Sequence, residues 1–215
     1  MIAVTTWYIW WQRRQVEKGE EVQNTERSTQ AIRAVTLNVV RAATQKAVAP
    51  RLNIWKRPSS GQLVLNTDAS FIEDNYSGSC GAVIRDGASY FVAASTTKLE
   101  HVSDVESAEA VALLEGLKLA RLVGANSIVA RADNITVVDA MTNNYGHSMV
   151  ASPILDDCRQ ICADFGKVLF EFCSRDSNMV AHRLAQHGRD DPPSLWLDVP
   201  PDFILNLLAD DVSII

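Results

Sequence analysis

Three carboxylates stand where the surrounding sequence is apolar. Asp68 follows Leu63-Val64-Leu65-Asn66-Thr67, Glu109 interrupts an Ala/Leu-rich helical stripe, and Asp133 follows Ile128-Val129-Ala130-Arg131-Ala132. A carboxylate aimed at an interior costs on the order of several kcal/mol unless it is paired or bound to a cation. Three such acids therefore point to a shared metal. Glu109 lies within a stripe through Ala108, Ala112, Leu113, Gly116, Leu117 and Ala120, and the position four residues on is Leu113, so no cation on its own helix relieves it. Glu106 reads instead as the return partner of a capping box opened by Ser103, and Glu115 falls off the stripe. For Asp133 a structural alternative stays open, that of capping the helix that starts near Ile135.

The elements that must position these acids follow from periodicity and punctuation. Gln62–Asp68 reads as a strand, and Cys80–Arg85 with Ser89–Ser95 as a hairpin turned by Asp86-Gly87. A long helix runs from Ser103 to about Leu122, where Gly124 stops it. Ser127–Asp133 is a strand, a shorter helix spans Ile135 to about Met141, and Ser152-Pro153 opens another that Gly166 ends. Lys167–Cys173 alternates as a strand, and Asp176 or Ser177 caps a final helix ending near Gly188. Three strands, a helix, a strand, two helices, a strand and a helix describe an α/β fold in which a mixed five-stranded sheet is flanked by helices. In such sheets, side chains at the carboxyl ends of strands converge on a crevice, the place expected for Asp68 and Asp133.

Around this domain, taken as residues 59–190, lie two extensions. Residues 1–58 form a basic, partly helical leader, with a helix from about Ser28 to Val48 and a linker through Lys56-Arg57-Pro58; residues 191–215 form a C-terminal packing arm around Trp196 and Phe203. The leader carries a net charge of +6 and the remainder −12, for −6 over all 215 residues. The acidic part repels a polyanion unless divalent cations intervene, whereas the leader attracts one. No apolar run is long enough for a membrane helix and no signal peptide is present, so the chain is expected to be intracellular, in nucleus or cytoplasm, and not secreted. Cys80, Cys158, Cys162 and Cys173 contain no CxxC pair and read as buried, reduced thiols.

Five blocks in order, Asn66-Thr67-Asp68-Ala69-Ser70, Gly81 to Asp86, Ala108 to Leu113, Ala132-Asp133-Asn134 and Arg175 to Ala185, resemble those of ribonuclease H type 1 domains, especially plant ones. The aromatic start Trp7-Tyr8-Ile9-Trp10-Trp11 resembles the segment preceding such domains in plant retroelement reverse-transcriptase reading frames. The resemblance implies hydrolysis of the RNA strand of an RNA–DNA hybrid by two Mg²⁺ or Mn²⁺ ions. It places the metal ligands on Asp68, Glu109 and Asp133, and hard carboxylate oxygens suit those cations. It also places Asn178 at the substrate edge, with Ser70 and Asn134 as further substrate-binding candidates.

Two departures stand out. The family's fourth acid falls on His182, a weaker partner for Mg²⁺ than a carboxylate but a possible proton carrier, and so a fourth catalytic candidate. Between Met141 and Ser152 there is no basic helix of the kind some bacterial relatives use to grip the hybrid. The missing helix should weaken substrate affinity, and His182 with the acidic net charge keeps open an alternative, a weakened or inactive nucleic-acid or protein interaction module. His147 and His187 are assigned no role.

Overall fold

In the computed structural model the chain divides between Leu52 and Asn53 into two units, and Arg13, residues 61–143 and residues 151–213 are described. The leader helix, the linker before Gly61 and the loop 144–150, with His147, lie outside the described residues. The second unit is built on a six-stranded mixed sheet in the order β5-β4-β1-β2-β3-β6. β1 (Leu63–Ile72), β2 (Ser77–Arg85) and β3 (Phe91–Leu99) form an antiparallel meander. After helix α1 (Val105–Leu122), β4 (Ser127–Ala132) returns parallel to β1; α2 (Ile135–Asn143) and α3 (Ser152–Cys162) then lead to β5 (Lys167–Phe172), parallel to β4. Helix α4 (Met179–Asp190), strand β6 (Ser194–Leu197) and helix α5 (Leu205–Ser213) complete it.

The strands' period of two splits the apolar residues between two layers. Leu65, Ile84 and Ile128 are fully buried with Leu113 and Leu117 of α1 and Leu155 of α3, and each such side chain contributes about 1.5–3 kcal/mol of burial free energy. On the other side Val83 and Ala94 meet Val180, Ala181 and Leu184 of α4 and Ile204 from the arm. Two glycines allow the close approach. A Cβ at Gly116 would collide with the Thr67 methyl group, and one at Gly81 with the backbone of Ala181 and Ala185. α1 and α4 can therefore lie directly against β1 and β2.

The sheet has six strands, not five, because Ser194–Leu197 of the arm pairs antiparallel with β3, with Trp196 opposite Ala94. Trp196 and Phe203 gather around the His187 ring, whose centroid lies 4.0 Å from that of Phe203. The hairpin turn also differs from expectation. Positive φ falls on Ser89 (74°), not on Gly87, because the Asp86 carboxylate accepts from Ala88 N (2.8 Å) and Tyr90 N (2.9 Å) and draws a longer loop around itself. At α1 the cap is not Ser103 but Asp104, which accepts from Ser107 N at 2.7 Å, so the start is displaced by one residue and Glu106 is two residues past the cap. α4 is capped by neither Asp176 nor Ser177. These residues belong to a 3-10 turn (Arg175–Ser177), and Asn178 holds the cap position.

Candidate active site

Register sets the first two acids side by side. Thr67 is opposite Ala132 in the parallel β1–β4 pair, so Asp68 and Asp133 occupy the next step of each chain. They differ in one respect from expectation. β4 ends at Ala132, but β1 continues to Ile72 against β2, so Asp68 lies within a strand, opposite Gly81, not at its end. Glu109, one turn into α1, reaches the same place from the next layer. Carboxylate oxygens of Asp68, Glu109 and Asp133 all lie within 4.8 Å of one another.

The capping alternative for Asp133 is settled by its neighbour. Asn134 Oδ1 accepts from Thr136 N (3.0 Å) and Val137 N (3.2 Å), which satisfies the amide groups at the start of α2 and leaves Asp133 free of that task.

The cluster is electrostatically loaded. Burial, reinforced by Asp68 and Asp133, pushes Glu109 up to about 9, against a weaker opposing pull from the Ala69 N–H and Arg175. Burial and Asp133 raise Asp68 to about 6, although His182 pulls it back. Among the described residues, Glu109 Oε2 is buried with no hydrogen-bond partner. A buried acceptor in that state costs about 1–3 kcal/mol, and a hard cation would relieve it. The residues therefore fit a divalent metal.

His182 stands on α4 facing β1. Its Nδ1 is 2.9 Å from Asp68 Oδ2 and its Nε2 is 2.9 Å from Gln186 Nε2. With the Gln186 amide donating to Nε2, the neutral ring carries its proton on Nδ1 and donates it to Asp68. Asn178 is buried, at 1% exposure, and turned inward: Nδ2 donates to the Thr67 carbonyl at 2.9 Å and reaches Asp133 Oδ1 at 3.5 Å, while Oδ1 accepts from Asn66 Nδ2 at 3.0 Å. The structure thus places Asn178 behind the carboxylates and not on an outer edge. Ser70, two residues past Asp68 and hence on the same face of β1, is half-buried opposite Ser79.

Sequence reasoning gave no role to Asn66, Gln186 or Arg175. Two signals were available: Asn66 shares a strand face with Asp68, and Gln186 is one helical turn from His182. Arg175 had no such signal, because a 3-10 turn sets its direction. A groove of about 740 Å³ between the C-terminal half of α1, β3 and β6 is lined by none of the three acids. Asp68 and Glu109 are buried and Asp133 is half-buried, so the cluster is reached from the Asp133 side.

No curated protein matches the sequence. Among solved structures, ribonuclease H1 from the halophilic archaeon Halobacterium salinarum superposes with a TM-score of 0.58 at 21% identity, covering 61% of this chain and 99% of that one. The N-terminal RNase H domain of a Mycobacterium tuberculosis protein, solved as a maltose-binding-protein fusion, gives 0.56 at 22% identity over 61% and 95%. A compost-metagenome RNase H1 in complex with an RNA/DNA hybrid gives 0.55 at 18% identity over 60% and 96%. At these identities the likeness shows the fold. The family model described as "Reverse transcriptase-like" matches residues 66–188, more than half of the chain. By that match the chain belongs to the reverse transcriptase-like family, and its described domain has the RNase H-like α/β fold.

Proposed function

We propose that this protein is an endonuclease that hydrolyses the RNA strand of RNA–DNA hybrids, with Asp68, Glu109 and Asp133 holding two divalent ions, Mg²⁺ or Mn²⁺. The observation that carries this reading is the convergence of three carboxylates within 4.8 Å, including a buried oxygen without a donor among the described residues. Such ions, when bound, activate a water and stabilise the leaving oxygen of an in-line displacement. Asp68, Glu109 and Asp133 would hold the ions, with Asp68 as the ligand the two would share. His182 holds a proton at Nδ1 beside Asp68 and is the candidate proton carrier. Asn178 acts from behind as a positioning residue; Ser70, within β1 on the Asp68 face, and Asn134, just past the end of β4, are the substrate-binding candidates.

Support for a hybrid substrate comes from the fold relatives, one of them solved with an RNA/DNA hybrid. A wide minor groove lined by 2′-hydroxyls is the feature such a site would read. The plant, retroelement-derived ancestry rests on the sequence blocks alone. Four cysteines without disulfides suit a reducing compartment, nucleus or cytoplasm, and among the described residues no helix is long and apolar enough to cross a membrane.

One observation favours a second reading, a weakened or inactive binding module. The His182 ring already occupies Asp68 Oδ2, an oxygen that a metal would compete for. A gel assay with end-labelled RNA in a hybrid distinguishes the two. Active wild type gives Mg²⁺-dependent RNA fragments that EDTA and Asp68→Asn abolish. Absence of fragments at any Mg²⁺ or Mn²⁺ concentration, with hybrid binding retained, supports the module instead.

A further inference from the structure

The side chains behind the candidate site lead away from it, into a part of the chain that the family match does not cover. Arg85, the last residue of β2, is 1% exposed. Its Nη1 donates to Asp211 Oδ2 of α5 at 2.6 Å, and its Nη2 approaches Asn66 Oδ1 at 3.4 Å. Asn66 Nδ2 donates to Asn178 Oδ1 at 3.0 Å, and Asn178 Nδ2 donates to the Thr67 carbonyl at 2.9 Å. Thr67 immediately precedes Asp68.

The chain of amides has a direction. A guanidinium can only donate, so Asn66 must turn its oxygen to Arg85 and its NH₂ to Asn178; Asn178 must then present its own NH₂ to the Thr67 carbonyl and the Asp133 carboxylate, both pure acceptors. With an obligate donor at one end and obligate acceptors at the other, neither amide can flip without breaking two bonds. Asp211 is the anion that holds the obligate donor, and it stands 23 residues beyond the match to residues 66–188.

We infer that Asp211 is a positioning residue of the candidate site: helix α5 acts through Arg85, Asn66 and Asn178 to fix the backbone at Asp68 and the carboxylate of Asp133. The inference rests on the nuclease reading only for its consequence in metal binding, not for the amide chain itself. Two readouts on the full chain therefore test it. In Asp211→Ala, and in the milder Asp211→Asn should the first variant fold poorly, the Asn66 and Asn178 side-chain amide resonances should shift and exchange faster with solvent, while the amides of β3 stay as in wild type. Mn²⁺ affinity by calorimetry should fall by roughly 10-fold, the low end of what outer partners of metal ligands contribute, and Asp211→Glu should restore part of it. In an Asn178→Ala background, Asp211→Ala should cost no further Mn²⁺ affinity.

Unshifted amides with unchanged Mn²⁺ affinity and a lower melting temperature would overturn the inference and leave Asp211 a structural ion-pair partner. A wild type that cleaves no hybrid, with the amide shifts and the Mn²⁺ loss still seen in Asp211→Ala, would sink the nuclease reading and leave the relay standing. Shifted amides in Asp211→Ala with full Mn²⁺ affinity would also overturn it, by showing that the amides move without moving the ligands.

Discussion

Two buried charged regions lie on the same face of β1 and are settled in opposite ways. Around Arg85 the charge is compensated from within: Asp211 meets the guanidinium at 2.6 Å. Four residues further along β1, about 13 Å by strand rise, three carboxylates crowd together, and among the described residues no cationic side chain touches Glu109 Oε2. A pair compensated by the chain's own residues secures the arm and, through Asn66, steadies the backbone behind the site. A cluster that leaves like charges facing one another serves something that arrives from outside, and its oxygen donors specify a hard cation.

The sharpest way to break this contrast is to remove a charge from each region. Asp68→Asn or Asp133→Asn should lower hybrid cleavage by at least about 10³-fold, equivalent to roughly 4 kcal/mol of transition-state stabilisation. The same changes should leave melting temperature unchanged or raised, since they relieve repulsion. Arg85→Met should do the reverse to stability, costing about 3 kcal/mol in urea unfolding because Asp211 is left partly buried without its partner. Adding Asp211→Leu to Arg85→Met should recover most of that loss. Equal stability effects of Asp68→Asn and Arg85→Met would erase the distinction.

The next effect is at His182, which joins the cluster without resolving it. His182→Ala should lower the rate by about 10²-fold or less, the low range of proton-transfer catalysis, and change the shape of the pH–rate profile. His182→Asp should lower the Mg²⁺ concentration needed for half-maximal rate, as a hard anionic oxygen suits Mg²⁺ better than imidazole. Indifference of both profiles to both variants would remove His182 from the chemistry.

The most gradual signal, spread over several pH units, concerns Glu109. Its folded value of about 9 lies above the ordinary 4.5, so between those limits the folded chain binds more protons than the unfolded one, and its stability falls as pH rises. The contribution is complete below about pH 4.5 and lost through pH 9, at up to about 1.4 kcal/mol per pH unit. Without metal, the melting temperature of Glu109→Gln should therefore gain on wild type as pH rises from 5 to 8, and Mg²⁺ should close the gap by stabilising wild type. A constant difference across that range would show that Glu109 is relieved by some group of the protein itself.

Much of this contrast was legible in the sequence. Acids set in apolar runs announce themselves, and strand and helix periods located β1, α1 and β4 closely enough to bring Asp68, Glu109 and Asp133 together. The compensated region was not legible. Arg85 at the end of an apolar strand and Asp211 in a short amphipathic tail are 126 residues apart, and nothing local couples them; only the folding of the arm onto β3 and α4 does so. The same non-locality hid β6, since four residues after a Pro-Pro pair carry too little periodicity to read as a strand. Smaller errors came from local competition. Asp86 captured two backbone amides and moved the left-handed residue to Ser89, and Asp104 displaced Ser103 as the cap because its carboxylate meets Ser107 N directly.

The central claim is that the uncompensated acids await divalent cations. Calorimetric titration of Mn²⁺ into the full chain, in wild type, Asp68→Asn and Glu106→Gln, tests it most directly, because Glu106 is a carboxylate of the same helix turn that lies outside the cluster. The account predicts saturable binding in wild type and Glu106→Gln alike and its loss in Asp68→Asn. Binding that survives Asp68→Asn undiminished, or that disappears in Glu106→Gln, would contradict it.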